Sequence, residues 1–173
     1  MTKRTRFYER IEPNRVHGPV GTNNLDLARC RVTLLTQTEQ TNVLKPAAEG
    51  FERMRRGQAT EADWLHLVTI CAIGLAVEDG GVVRGLREVL SEADLSLAAI
   101  GLRATQGGPG WRAPTLYAAE IQQLQTLLRM HTFQLSQISW GEHRKAWKAA
   151  AGSVVANGGR AIKALQGAGG AAA

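Results

Sequence analysis

Apolar residues recur at intervals of three and four along most of the chain, which is the pattern of amphipathic helices. The strictest alternation covers residues 82–104 and 114–138, so each range is predicted to be one helix. Further apolar positions widen both stripes, which favours a globular bundle over a free coiled coil. The core-facing positions are predicted to be Val83, Leu86, Leu90, Ala93, Leu97, Ile100 and Ala104, then Tyr117, Ile121, Leu124, Leu128, His131, Leu135 and Ile138, with Leu95, Ala98, Ala99, Leu116, Leu127 and Phe133 widening the stripes.

Three further helix starts are marked by the spacing of a capping box, in which a hydroxyl and a carboxylate each accept a backbone N–H of the other residue. The helices that follow are predicted to end at Gly57, at Gly80 and in the glycine-rich stretch beyond Gly152. The residue pairs are Thr36 with Glu39, Thr60 with Asp63, and Ser139 with Glu142.

Pro46 lies inside the first of these predicted helices. Proline removes one backbone hydrogen bond and clashes with the preceding turn, so we expect a kink there or a helix that begins only near Leu44. The residues before this helix, 25–35, suit a short helix and an extended segment equally well, and both alternatives stay open.

Short connections join the first four predicted helices, and a short loop returns the chain antiparallel to the preceding helix. The sequence therefore predicts an all-α fold, an antiparallel bundle of four main helices followed by a basic C-terminal helix. Residues 25–157 would form the single helical domain. Residues 1–24 are predicted to be a flexible basic arm, and residues 158–173 a Gly/Ala-rich tail.

The net charge of +6 is concentrated at the two ends of the chain. Residues 1–15 hold five basic and two acidic side chains, residues 16–139 eleven and twelve, and residues 140–173 five and one, which gives +3, −1 and +4. Cationic ends on a neutral body favour an anionic partner such as DNA or RNA, although charged tails also keep proteins soluble.

The fifth predicted helix combines two tryptophans with three cations, a mixture that is typical of nucleic-acid surfaces. The indoles at positions seven apart lie on one face, where they would stack on bases, fill a partner's pocket, or rest on the protein's own bundle with the charges outward. The predicted binding residues are Trp140, Arg144, Lys145, Trp147 and Lys148 here, and Lys3, Arg4 and Arg6 in the arm.

Recognisable catalytic chemistry is absent from the sequence. No phosphate-binding glycine loop or nucleophile elbow occurs, and the four histidines lack the spacing of metal ligands, so no catalytic residue, metal or cofactor is predicted. His131 is expected to be a core histidine, and Cys71 a buried, inert thiol. The adjacent Glu78 and Asp79 are interpreted as a solvated helix end, because successive helical residues do not share a face.

The apolar run over residues 64–77 is too short to cross a bilayer and is interpreted as a core helix. The N-terminus lacks the apolar region of a secretory signal, and Cys30 and Cys71 do not form a disulfide framework. These features predict a cytoplasmic protein without a membrane partner.

Residues 51–64 resemble a run in small uncharacterised all-helical proteins encoded by prophages and other mobile genetic elements. Residues 115–117, 120–121 and 131–135 resemble the same group, so the likeness covers about residues 36–148. The resemblance implies a genomic setting and no active site. We therefore expect a non-enzymatic accessory binding protein that contacts nucleic acid through its basic ends. The alternative is an inhibitor or adaptor of a partner protein, or a homodimer, formed through a bundle face.

Overall fold

The protein is all-helical in the residues that its computed structural model describes, 32–106 and 110–156. The predicted arm, the tail and Cys30 lie outside these residues. We number the helices in chain order. The five helices are α1 (Gln37–Arg55), α2 (Glu61–Asp79), α3 (Arg87–Thr105), α4 (Ala118–Gln137) and α5 (Trp140–Ala156).

Helix α2 is the centre of the bundle, because it contacts each of the other four helices. Its sequence is apolar on every side, which is the composition of a helix surrounded by protein. Helix α4 closes the bundle by contacting α1 and α3, whereas α5 packs mainly against α2. The antiparallel course of the first four helices stays a prediction. The residues of α2 that are buried are Asp63, Trp64, Leu67, Val68, Ile70, Cys71, Ile73, Gly74 and Val77.

The core has two parts. The larger part lies among α1, α2, α3 and α4, and its fully buried members include Leu67, Leu90 and Leu124. The second part lies where α5, the C-terminal halves of α2 and α4, and the residues before α1 meet. Its members are Leu35, Ile73, Val77, Val83, Leu135, Ile138, Ala146 and Ala150.

All three predicted capping boxes are confirmed. The Thr36 and Thr60 hydroxyls accept the backbone N–H groups of Glu39 and Asp63, and the two carboxylates accept the N–H groups of the threonines. At the start of α5 the Ser139 N–H and hydroxyl both donate to the Glu142 carboxylate, at 2.7 and 2.8 Å. These helix starts are encoded within four consecutive residues.

Helix α1 begins at Gln37 and continues through Pro46, so the expectation of a start near Leu44 is wrong. Because Pro46 has no backbone N–H, the Asn42 carbonyl lacks its helical hydrogen bond. Both residues are exposed. Water can therefore solvate that carbonyl, and the helix tolerates the missing bond.

Two helices begin later than the sequence predicted. Helix α3 starts at Arg87 because Gly81 and Gly85 have φ of +73° and +92°, which helical residues do not adopt. Helix α4 starts at Ala118, and the non-helical residues before it are held by Trp111, whose indole N–H donates to the Ala59 carbonyl at 2.8 Å. Tyr117 is 61% exposed and is therefore no core position.

Three apolar residues that were expected to widen the core stripes face solvent. Leu95 is 65% exposed, Phe133 is 50% exposed, and Ala99 is also exposed. They lie on helices that bury other stripe positions, such as Leu97 and Leu135. Among the described residues, none of the helices combines the length and the apolar composition that crossing a bilayer would need.

The buried carboxylate of Asp63 links α2 to α1. The Arg53 guanidinium lies 2.5 Å from this carboxylate and donates a hydrogen bond to it. This hydrogen bond and those from Thr60 lower the pKa of Asp63 from 3.8 to about 2, although burial acts in the opposite direction. The ionised form is thus favoured in the folded protein, so the stabilisation is complete above pH 3.8 and is lost as the pH falls towards 2.

Replacement of Asp63 by asparagine is expected to lower the free energy of unfolding at pH 7 by about 1 to 2 kcal/mol, because it removes the ion pair with Arg53. Solvent screening of the half-exposed Arg53 keeps the loss within this range. Urea unfolding at pH 7, 5 and 3 should show this loss shrinking towards acid. Asp79→Asn, which breaks an exposed pair with Arg87, is the control and should change stability by less than about 0.5 kcal/mol. Equal losses in the two variants would contradict the assigned role of Asp63.

Candidate nucleic-acid interface

Helix α5 is attached to the bundle at its first residue. Leu34 and Ser139 form an isolated antiparallel bridge, in which the Leu35 N–H donates to the Ile138 carbonyl at 3.2 Å. Leu34 and Leu35 therefore pair in the manner of a strand, whereas residue 32 is helical. Residues 25–31 lie outside the described residues, and both alternatives stay open there. The chain before α1 thus runs beside the junction between α4 and α5.

The two tryptophans of the predicted binding face are partly buried. The Trp140 indole N–H donates to the Glu39 carboxylate on α1 at 2.7 Å. Partial burial would raise the pKa of Glu39, but the hydrogen bonds from Trp140 and Thr36 outweigh it and lower the pKa. Trp147 packs against the second part of the core. Both indoles therefore rest on the protein's own bundle.

The three cations of α5 face solvent. Arg144, Lys145 and Lys148 are exposed, and none of them forms an ion pair within residues 32–106 and 110–152. Arg144 and Lys148 are four residues apart, and Lys145 and Lys148 three, so neighbouring cations share a helix side. Helix α5 thus presents a surface of unneutralised positive charge, which we call the cationic face (Arg144, Lys145, Lys148).

Five of the nine cations elsewhere in the described chain form ion pairs with acids. Among the arginines, Arg53 pairs with Asp63, Arg55 with Glu52, and Arg87 with Asp79. Arg56 and Arg84 are exposed without an acidic partner among the described residues. Positive charge outside α5 is therefore partly cancelled by neighbouring carboxylates.

The cations of the N-terminal arm, Lys3, Arg4 and Arg6, lie outside the described residues. Their contribution to binding stays a prediction.

His143 of α5 is buried at 7% exposure. It lies opposite the cationic face, and its ring meets the Trp140 indole edge-on with 5.5 Å between centroids. Burial lowers the pKa of His143 to about 4, so at neutral pH it carries no charge. The sequence contained a pattern that predicts the burial of His143. It lies three residues from Ala146 and seven from Ala150, which are both buried.

His131 is fully buried, as predicted for a core histidine. Its Nδ1 lies 3.2 Å from Oε1 of Gln134, whose amide nitrogen donates to the Gly74 carbonyl at 3.0 Å. Gln134 is also fully buried, and the apolar spacing of α4 did not reveal it. A polar network therefore lies inside the stripe that was expected to be apolar.

Other residues with possible chemistry have structural partners. Glu78 accepts hydrogen bonds from the Gly85 N–H, at 2.7 Å, and from the Leu86 N–H. It therefore stabilises the start of α3 and is more than part of a solvated helix end. The Cys71 thiol is buried, as predicted, and burial raises its pKa, which favours the unreactive thiol form. No group of three or more potential metal ligands occurs in the described part of the chain.

A groove of about 820 Å³ runs between α1, α3 and α4 on the bundle. Apolar side chains, including Phe51, Val89 and Leu128, form part of its wall, and Glu92 and Arg129 also line it. Ser96 and Gln123 are hydrogen-bonded between α3 and α4, the two helices that form one side of the groove.

Comparisons of the chain with protein-family models, curated proteins and solved structures found no match.

Proposed function

We propose that the protein is a non-enzymatic accessory protein of a phage or mobile element that binds nucleic acid through its basic ends. The observation that carries this proposal is the cationic face, where three exposed cations lack acidic partners among the described residues. Phosphates would replace the missing acids, and the release of counterions from the nucleic acid would supply much of the binding free energy.

The cationic face suits phosphates better than bases. Trp140 is hydrogen-bonded to Glu39 and Trp147 packs on the core, so both indoles are engaged within the protein and stacking on a base would cost these contacts. Binding would therefore show little dependence on sequence, because contacts to phosphates position a protein without reading bases. The arm residues Lys3, Arg4 and Arg6 would add to this contact.

The same proposal includes a cytoplasmic location and an antiparallel course for α1 to α4. The buried thiol of Cys71 suits a reducing compartment, where free cysteines persist. Connections of a few residues between α1 and α2 and between α2 and α3 support antiparallel neighbours.

The test is a salt series with the intact chain and mixed-sequence duplex and single-stranded nucleic acid. Arg144→Gln/Lys145→Gln/Lys148→Gln should weaken duplex binding and reduce the slope of log K against log salt by up to about 2.7, or about 0.9 for each lost phosphate contact. Substitution is preferable to removal of residues 140–173, because Ala146 and Ala150 of α5 belong to the core.

The matched control is Arg56→Gln/Arg84→Gln/Arg112→Gln, which removes the same charge from exposed positions outside α5. It should leave the salt slope nearly unchanged. A chain lacking residues 1–15 measures the share of the arm. An equal loss in both triple variants would mean that net charge alone causes binding, and no binding at low salt would refute the proposal.

A second candidate is an inhibitor or adaptor of a partner protein, or a homodimer, and the groove between α1, α3 and α4 favours it. A concave surface whose wall combines apolar side chains with two glutamates, Glu52 and Glu92, and one arginine, Arg129, suits a partner helix. The salt series discriminates between the candidates, because failure to bind at low salt leaves the groove as the better-supported site.

A further inference from the structure

Two histidines are buried where α5 meets the bundle, one on α4 and one on α5. His131 is fully buried and His143 is 7% exposed. Nδ1 of His131 donates to Gln134, which fixes the neutral tautomer with an unprotonated Nε2. The Nε2 atoms of both rings are buried and lack a hydrogen-bond partner among the described residues. A proton added to either Nε2 would therefore be a buried donor without an acceptor.

The charged groups around this pair offer little compensation for protonation. Burial lowers the pKa of His131 to about 4, Gln134 raises it slightly, and a charge on His143 would lower it further. On α2, the Gly74 carbonyl accepts the amide N–H of Gln134. The Glu142 carboxylate accepts from Ser139, and Glu39 accepts from Trp140 with a pKa below its usual 4.5.

Helix α5 is the part of the bundle that could respond. Among the helices its principal packing is against α2. Its Ala146, Ala150 and Trp147 belong to the second part of the core, which also includes Leu135 of α4. The contacts at its first turn are the Leu34 bridge and the hydrogen bond from Trp140 to Glu39. Helices α1 to α4 have a larger core of their own, to which α5 contributes no residue.

We propose that His131 and His143 form an acid-sensitive latch, which holds α5 docked on α2 when both rings are neutral and releases it when they bind protons. When α5 is released, His143 on α5 and His131 on α4 become hydrated, and both rings titrate near 6.5. The docked state is therefore favoured above pH 6.5 and is progressively weakened as the pH falls from 6.5 to about 4. The latch is independent of nucleic-acid binding, because its test measures docking alone.

Heteronuclear NMR of the intact chain between pH 7.5 and 5, a range in which Glu39 stays ionised, tests the latch. The Trp140 indole N–H, which donates to Glu39, reports docking of α5, and the Trp64 indole N–H, which donates to the Leu97 carbonyl, reports the larger core. We expect the Trp140 signal to change first. The ratio of released to docked α5 should rise about tenfold per pH unit for each histidine, or about a hundredfold for both.

Four variants complete the test. His131→Leu and His143→Leu should each reduce the dependence to about tenfold per pH unit, and the double variant should abolish it. His66→Leu, which removes a half-buried histidine of α2, should leave it unchanged. A simultaneous change of the Trp64 and Trp140 signals in the wild-type chain would overturn the proposal, as would a His143→Leu variant with the wild-type dependence.

Discussion

Replacement of Trp64 by alanine is expected to lower the free energy of unfolding by about 3 to 5 kcal/mol, the range for removal of a buried aromatic side chain. Trp64 is 6% exposed, its indole N–H donates to the Leu97 carbonyl at 2.9 Å, and its ring lies 5.5 Å from that of Trp111. The variant would lose the apolar contact area, leave a cavity and leave the Leu97 carbonyl without this donor. Urea unfolding followed by circular dichroism measures the effect.

The matched control for this experiment is Trp147→Ala. Trp147 is a tryptophan of the same size, but it is half-buried at the surface of the second part of the core. Its removal should cost clearly less, about 1 to 2 kcal/mol, because less apolar surface is buried there. If the two variants lost equal stability, the central position of Trp64 in the core would be wrong.

Gly101→Ala is expected to destabilise the protein by about 1 to 3 kcal/mol, although alanine is the better helix former by about 1 kcal/mol. A Cβ at Gly101 would lie 2.6 Å from Cζ2 and 3.0 Å from Cε2 of Trp64. That ring is held by its hydrogen bond to Leu97 and by Trp111, so it cannot easily move away. Thermal and urea unfolding would report the loss.

Gly152→Ala is the control, because nothing lies within 4 Å of a Cβ there and Gly152 is exposed in α5. It should stabilise the protein by about 0.5 to 1 kcal/mol. The double variant Trp64→Phe/Gly101→Ala should lose less than the sum of its single losses by at least about 0.5 kcal/mol, since a smaller ring leaves room for the methyl group. Strict additivity would argue against a contact between these residues.

The two proposals for α5 concern opposite sides of one helix. Arg144, Lys145 and Lys148 face solvent, whereas His143 is buried beneath them. Substitution of the cations should therefore alter salt-dependent binding without changing the pH at which α5 is released. Substitution of the histidines should have the converse effect, so the two proposals can fail separately.

The ends of the helices show how far local sequence determines structure. The capping boxes at Thr36, Thr60 and Ser139 formed as predicted, because each depends on residues three positions apart. The starts of α3 and α4 were misplaced because the apolar spacing continues before them. The positive φ of Gly85 and the attachment of Trp111 to Ala59, 52 residues away in sequence, interrupted the pattern.

The sequence by itself determined the helical class, the capped helix starts and the segregation of positive charge towards the ends, since periodicity, capping and charge are local properties. The tertiary structure alone decided which sides of the helices are covered. It buried His143 on the inner side of the basic helix α5 and left Phe133 exposed. It also formed the hydrogen bond from Trp140 to Glu39, which are 101 residues apart in sequence. Burial depends on which elements pack together, and a single amphipathic stripe does not specify its neighbour.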